Sequence, residues 1–222
     1  MRGSMARPLP RYSTGEEIAN SIIHGLGIVL AIGGLGVLTA FASLRGNAWH
    51  IVSCSVFGAT LVILYTTSTL YHAIPNHRAK AVLRVLDHSA IFLLIAGTYT
   101  PFSLVSLRGP WGWSLFGVVW GLAILGIIFK VTMLRRWTAV SVVLYLFMGW
   151  VAIVAVQPML DAIAAGGLIL LLAGGLAYTA GVVFYAWKRL PYHHAVWHAF
   201  VLAGSICHFF AVLLFVIPTT SS

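Results

Sequence analysis

Charged side chains are almost missing from this sequence. Of 222 residues, 13 are Lys or Arg and 4 are Asp or Glu, 17 in all, while 60% are hydrophobic. A soluble domain covers itself with roughly a quarter charged residues, so a fold that faces water over its whole surface is excluded and the solvent is largely lipid. Acidic residues are the scarcer kind, which leaves a formal net charge of +9. No polar domain exists on which those basic residues would form a nucleic-acid groove, so the expected partners are membrane lipids and not nucleic acid. Cysteine is down to two, Cys54 and Cys207, both inside apolar runs. That excludes a disulfide framework and a CxxC redox motif, and leaves two small buried hydrophobes.

What is present is apolar length. Seven runs carry no Lys, Arg, Asp or Glu: 18–44, 46–77, 88–107, 109–129, 137–160, 162–187 and 190–222. A hydrocarbon core of about 30 Å needs about 20 helical residues, so each run is long enough to span. None shows the alternation of a barrel strand, and helices are the remaining way to satisfy backbone groups in lipid. The expected fold is all-α, a polytopic membrane protein with seven transmembrane helices. Residues 1–17 form a polar N-terminal segment and 18–222 a single membrane domain, with the first span an anchor rather than a cleaved signal. Eleven of the basic residues fall at the N-terminus and in the second, fourth and sixth loops, against Arg45 and Arg108 on the other side. The positive-inside rule then puts the N-terminus in the cytoplasm and the C-terminus outside. Trp49, Trp111, Trp113, Trp137 and Trp187 sit at run ends as interface anchors, Pro101 predicts a kink in the third span, and Gly117 with Gly121 offers a close-packing face.

Ionisable residues inside spans are costly and mark candidate sites. The topology sorts the nine histidines by depth: His72 ends the second span, Asp87 opens the third, and His194 and His198 open the seventh, all near the cytoplasmic leaflet. Ser68 and His72 are i and i+4, as are His194 and His198, so each pair shares a helix face. An HxxxH pair with His72 as third imidazole and an open fourth position matches a catalytic zinc site. Asp87 is either a further ligand or, as we favour, a base beside a water on the metal. Ser68, one turn deeper, would orient that water or polarise a carbonyl. Set against this is the plainer reading that intramembrane histidines are hydrogen-bonded helix glue. His193 competes with His194, but its spacing of five from His198 is the poorer facial match. His208 lies about 15 Å beyond His198, too far for the same metal, and is expected to be a buried hydrogen-bonding residue. His50 and His77 are expected at the surface, and His88 is left without a role. On the first helix Glu17, Asn20 and His24 form one stripe that lines a pocket or supports the metal shell, while Ser13 or Thr14 caps the helix and Glu16 and Glu17 complement its dipole.

These stretches carry a resemblance. EEIANSIIHG, the STLYH of 68–72, the DHSAIFLLIAGTYTP of 87–101 and the HAVWHAFVLAGSICHFF of 194–210 resemble the hemolysin III family, the bacterial branch of the progestin and adipoQ receptor group, placed with alkaline ceramidases among membrane hydrolases. The resemblance runs over essentially the whole chain. It implies seven helices with a zinc ion near the cytoplasmic face, with His72, His194 and His198 at the family's ligand positions, Asp87 at its aspartate and Ser68 at its serine. It also implies a bacterial inner (plasma) membrane. The long N-terminal domain of the animal receptors has no counterpart here.

Three functions follow as expectations. The first is a zinc-dependent intramembrane hydrolase of lipid amides or esters, ceramidase-like. The second is a lipid-sensing, receptor-like protein in which zinc is structural. The third, suggested by the family name alone, is a hemolysin-like channel or cytolysin, which would need a polar lining across the whole bilayer.

Overall fold

Charge-free stretches mark where a helix crosses hydrocarbon and not where it begins. In the computed structural model, which describes residues 12–132 and 138–218, seven helices are long and apolar enough to cross a membrane, and no strand occurs among those residues. The first is α1 (Thr14–Arg45), 32 residues long and so about 48 Å. It exceeds the hydrocarbon thickness and must tilt or project. Ser13 is its cap: the Glu16 N–H donates to Ser13 Oγ at 3.3 Å and the Ser13 N–H to Glu16 Oε2 at 2.8 Å, a reciprocal capping box. Glu16 and Glu17, which precede the first charge-free run, lie in the first turn of this helix, where their charge is expected to complement its dipole.

The same effect is larger further on. After α2 (Ala48–Ala73), α3 (His77–Pro101) starts at an Asn76 cap, eleven residues before the third charge-free run. Arg78, Lys80 and Arg84, expected in a loop, ride on its first turns. Asp87, expected to open the helix, lies about 15 Å along it. Past Pro101, whose ring supplies no N–H to the helix ladder, the chain widens into a π turn at Phe102–Ser106. This is the form taken by the irregularity expected there.

α4 (Pro110–Thr132) is continuous, but the fifth span is broken. α5 (Thr138–Trp150) gives way to a 3₁₀ turn at Val151–Ala155 and then to the short α6 (Val156–Ala162). Tyr99 of α3 serves the break, accepting the Ala152 N–H at 2.9 Å and donating to the Gly149 carbonyl at 2.9 Å. Backbone freed inside a membrane has to find such partners. α7 (Ala165–Ala186) and α8 (His193–Phe215) complete the bundle.

Large apolar side chains such as Ile22, Val29, Leu44, Val143 and Ile169 point outward, as a lipid-facing surface requires. Lipid removes the hydrophobic drive between helices, so close packing has to hold them together. Small residues make the contacts. Gly27 faces the Tyr65 ring, and a Cβ there would sit 2.5 Å from Tyr65 Cδ1. On α4 the contact glycines are Gly112 and Gly126, the latter against Phe92. Gly117 and Gly121, expected to pack, have open space where a Cβ would be, because they lie on the opposite face of the helix. Gly27→Ala is expected to lower stability by about 1–3 kcal/mol, read as an earlier thermal transition in detergent; an unchanged transition would show that Tyr65 swings away freely.

Two of the expected interface aromatics meet at one end, where the Trp49 and Trp113 rings lie 5.7 Å apart and Arg108 sits 4.3 Å over Trp49, while Trp187 is exposed at the other end. Trp137 and the basic Arg2, Arg7, Arg11, Arg135 and Arg136 lie outside the described residues. Cys54 is buried and Cys207 half-buried, both free.

Candidate metal centre

Two helix ends deliver three imidazoles to one point. His72 is on the last turn of α2, and His194 and His198 are on the first two turns of α8. All three are buried. One ring nitrogen from each lies within 4.8 Å of the other two, the arrangement of a site that could hold a metal ion. Two nitrogens bound tetrahedrally at about 2.0–2.1 Å lie about 3.3–3.4 Å apart. The Nε2 atoms of His72 and His198 are 3.1 Å apart, close to that chelating distance. Both nitrogens of His194 and the Nδ1 of His198 are buried without a hydrogen-bond partner among the described residues. Buried polar atoms are normally paired, so orphaned nitrogens on clustered imidazoles fit a cation with nitrogen preference.

The support around His72 favours the same use. Its Nδ1–H donates to Glu17 Oε2 at 2.6 Å. A carboxylate only accepts, which fixes the proton on Nδ1 and leaves the Nε2 lone pair facing His198. A carboxylate behind a ligating histidine orients the ring and raises its basicity. Glu17 Oε1 is held in turn by Lys80 Nζ at 2.7 Å, and Asn20 Nδ2 lies 3.3 Å from the same His72 nitrogen. His24 packs on His198 with ring centroids 3.6 Å apart and meets Tyr65 edge-on at 5.0 Å. The stripe seen on the first helix thus touches the histidine cluster at all three of its residues. Replacing Glu17 with Gln removes the charge but keeps the shape, and metal affinity is expected to fall by about 10–100-fold in competition with a chelator. An unchanged affinity would reduce Glu17 to a helix-end charge.

Asp87 is not in the three-histidine group. It lies beside it, lining a cavity of about 140 Å³ that also touches His24, His194 and His198 and runs between α3, α5, α7 and α8. The walls are otherwise mainly aliphatic and aromatic. Ser68 is fully buried and its hydroxyl interacts with the Asp87 carboxyl, without a bond of full hydrogen-bond geometry. His88 shares the cavity wall with Asp87, although the helical turn between neighbours had separated them. His193 stays outside the group, and His50 caps α2, accepting the Asn47 N–H at 3.2 Å.

Two residues had no signal in the sequence pattern. Tyr12, just before α1, stacks on His194 at 5.0 Å and comes within 5.9 Å of His72, closing the cluster from the helix-end side. Burial pushes its phenol pKa upward, so it is a neutral cover. Lys130, counted as a loop charge, is only 2% exposed and donates to Ser141 Oγ at 3.1 Å. A residue can end an apolar run and still turn inward.

The haemolysin-III related family profile matches residues 12–209. The chain belongs to that family. This haemolysin III protein is 49% identical over 206 residues to Hemolysin-3 of Bacillus cereus, covering 93% of this chain and 94% of that one. It is 47% identical over 204 residues to the Hemolysin-3 homolog of Bacillus subtilis (strain 168), covering 92% and 96%. A human protein, monocyte to macrophage differentiation factor, is 29% identical over 205 residues, covering 89% and 83%, consistent with the resemblance to the progestin and adipoQ receptor group. Seven apolar helices together with this family make the chain an integral membrane protein.

Proposed function

We propose that this haemolysin III protein is a zinc-dependent hydrolase of lipid amides or esters, working at the cytoplasmic leaflet of the bacterial plasma membrane with its N-terminus inside. The observation that carries the reading is the buried triad of His72, His194 and His198, two of whose imidazoles, His194 and His198, line a largely apolar cavity that also holds a carboxylate. Zinc bound by the three imidazoles supplies Lewis acidity and brings the pKa of water near 7. The chain's own groups do the rest. Glu17 holds the His72 ring with Asn20 packed beside it, and His24 backs His198. Asp87 takes the proton from the attacking water and returns it to the leaving group. The Ser68 hydroxyl donates to the substrate carbonyl oxygen as charge develops. The aliphatic wall seats the lipid chain and keeps bulk water out.

Release of fatty acid from lipid amides and esters by purified protein tests this directly. No release from any of them, together with intact cellular activity of Asp87→Asn, would end the proposal. The sensor reading, with structural zinc, is favoured by one feature: the triad ties α2 to α8. It predicts bound metal, no turnover, and a severe loss of thermal stability in His198→Ala or after chelation. A channel has less support, since the polar groups named above concentrate at one end of the bundle.

A further inference from the structure

The cavity that starts at the triad does not end as an apolar tube. His208 stands ten residues beyond His198 on α8, about 15 Å farther along. It lines the same cavity and is only 8% exposed. Its Nε2 lies 3.1 Å from the Leu171 carbonyl oxygen. A carbonyl only accepts, so Nε2 carries the proton, and Nδ1 of the neutral ring is an acceptor. That Nδ1 has no hydrogen-bond partner among the described residues.

The surroundings hold this ring in place. Gly174 lies directly against the imidazole, where a Cβ would overlap its Cδ2 and Nε2, so the niche requires glycine. Tyr178 packs on the ring at 5.4 Å. The nearby hydroxyls are engaged with one another: Tyr65 donates to Ser205 at 2.7 Å, and Tyr178 pairs with Ser205 at 2.9 Å. His208 Nδ1 is left unpaired on a ring that lines the cavity. In an apolar interior an unpaired acceptor is costly, and it selects a ligand that brings a donor to that depth.

We infer that His208 is a deep polar subsite of this cavity, recognising an acyl chain that carries a hydroxyl about 15 Å from the group seated at the histidine triad. The inference deepens the proposed hydrolase reading by naming its substrate class, and it rests on that reading only for the bond that is cut. A hydroxyl at the right distance donates to Nδ1, whereas one at mid-chain lies against a mainly apolar wall and loses its water without compensation.

The test uses the full chain in nanodiscs and the displacement of tritiated palmitic acid by monohydroxypalmitic acids with the hydroxyl near the carboxylate, at mid-chain, or in the outer third. Potencies are taken relative to unlabelled palmitic acid on each protein, and comparing proteins cancels differences in bilayer partitioning. Wild type is expected to prefer the outer-third isomer by about tenfold. His208→Phe should abolish the preference while still binding palmitic acid, and His208→Asn, which keeps an acceptor near Nδ1, should restore part of it. Equal potency of all isomers on wild type, as when a water satisfies Nδ1, overturns the inference. So does a preference that survives in His208→Phe, or the lack of saturable palmitic acid binding. The wild-type series decides the matter even if a variant fails to fold. Palmitic acid has no amide or ester to cleave, so a preference without hydrolysis sinks the hydrolase reading alone, and hydrolysis without a preference sinks the subsite alone.

Discussion

Detergent-purified wild type, reconstituted with zinc, is expected to retain close to one zinc per chain, and His194→Ala/His198→Ala is expected to retain none. The double variant removes two of the three imidazoles and leaves His72 with a single ring nitrogen toward the site, since its Nδ1–H is committed to Glu17. One imidazole at a buried position does not hold zinc against water and buffer, because each missing ligand removes a bond of about 2.0–2.1 Å that nothing else nearby replaces. Elemental analysis of the two proteins side by side reads the result. A wild type without metal would return the triad to helix glue and take the hydrolase with it. Melting the same two samples adds the second distinction: a modest shift in the variant fits a catalytic ion, whereas collapse of the transition fits one that holds α2 to α8.

Asp87→Asn is expected to cut lipid hydrolysis by about 10²–10⁴-fold while leaving zinc content unchanged. The carboxylate lines the cavity beside His194 and His198 but stays out of the ligand group, so its removal costs proton transfer and not metal. The amide keeps the size and can still hydrogen-bond near Ser68, so folding is not at issue. Loss of zinc together with activity would instead make Asp87 a ligand. Full activity with zinc retained would remove the base from the proposal.

How the chain's reading from sequence fared is clearest where charge and helix diverge. Counting charge-free runs recovered every span, because the cost of a charge in hydrocarbon is large and local. It misplaced the helix start at His77, because helices continue past the hydrocarbon into the interface, where charges are welcome. Asp87 therefore reads in the sequence as an opening residue though it lies about three turns into α3. The i, i+4 pairs and the first-helix stripe were legible since helical spacing alone fixes a shared face. Lys130 was not, because the direction of its turn is decided by Ser141 on a neighbouring helix. Nor was the break in the fifth span, which depends on a Tyr99 hydroxyl reaching across from α3.

By itself, then, the sequence determined that this is an all-helical membrane protein of seven spans, and it singled out His72, His194 and His198 with Asp87 and Ser68 beside them. Those facts rest on transfer costs and on the helical repeat, which act within single segments. Only the tertiary structure decided that the three imidazoles meet within ligating distance, that Glu17 orients His72, that Tyr12 covers the cluster, and that His208 faces the same cavity. Each of these depends on how separate helices are rotated and set against one another. In a bilayer that arrangement is governed by small-residue contacts and interhelical hydrogen bonds, which no single segment encodes.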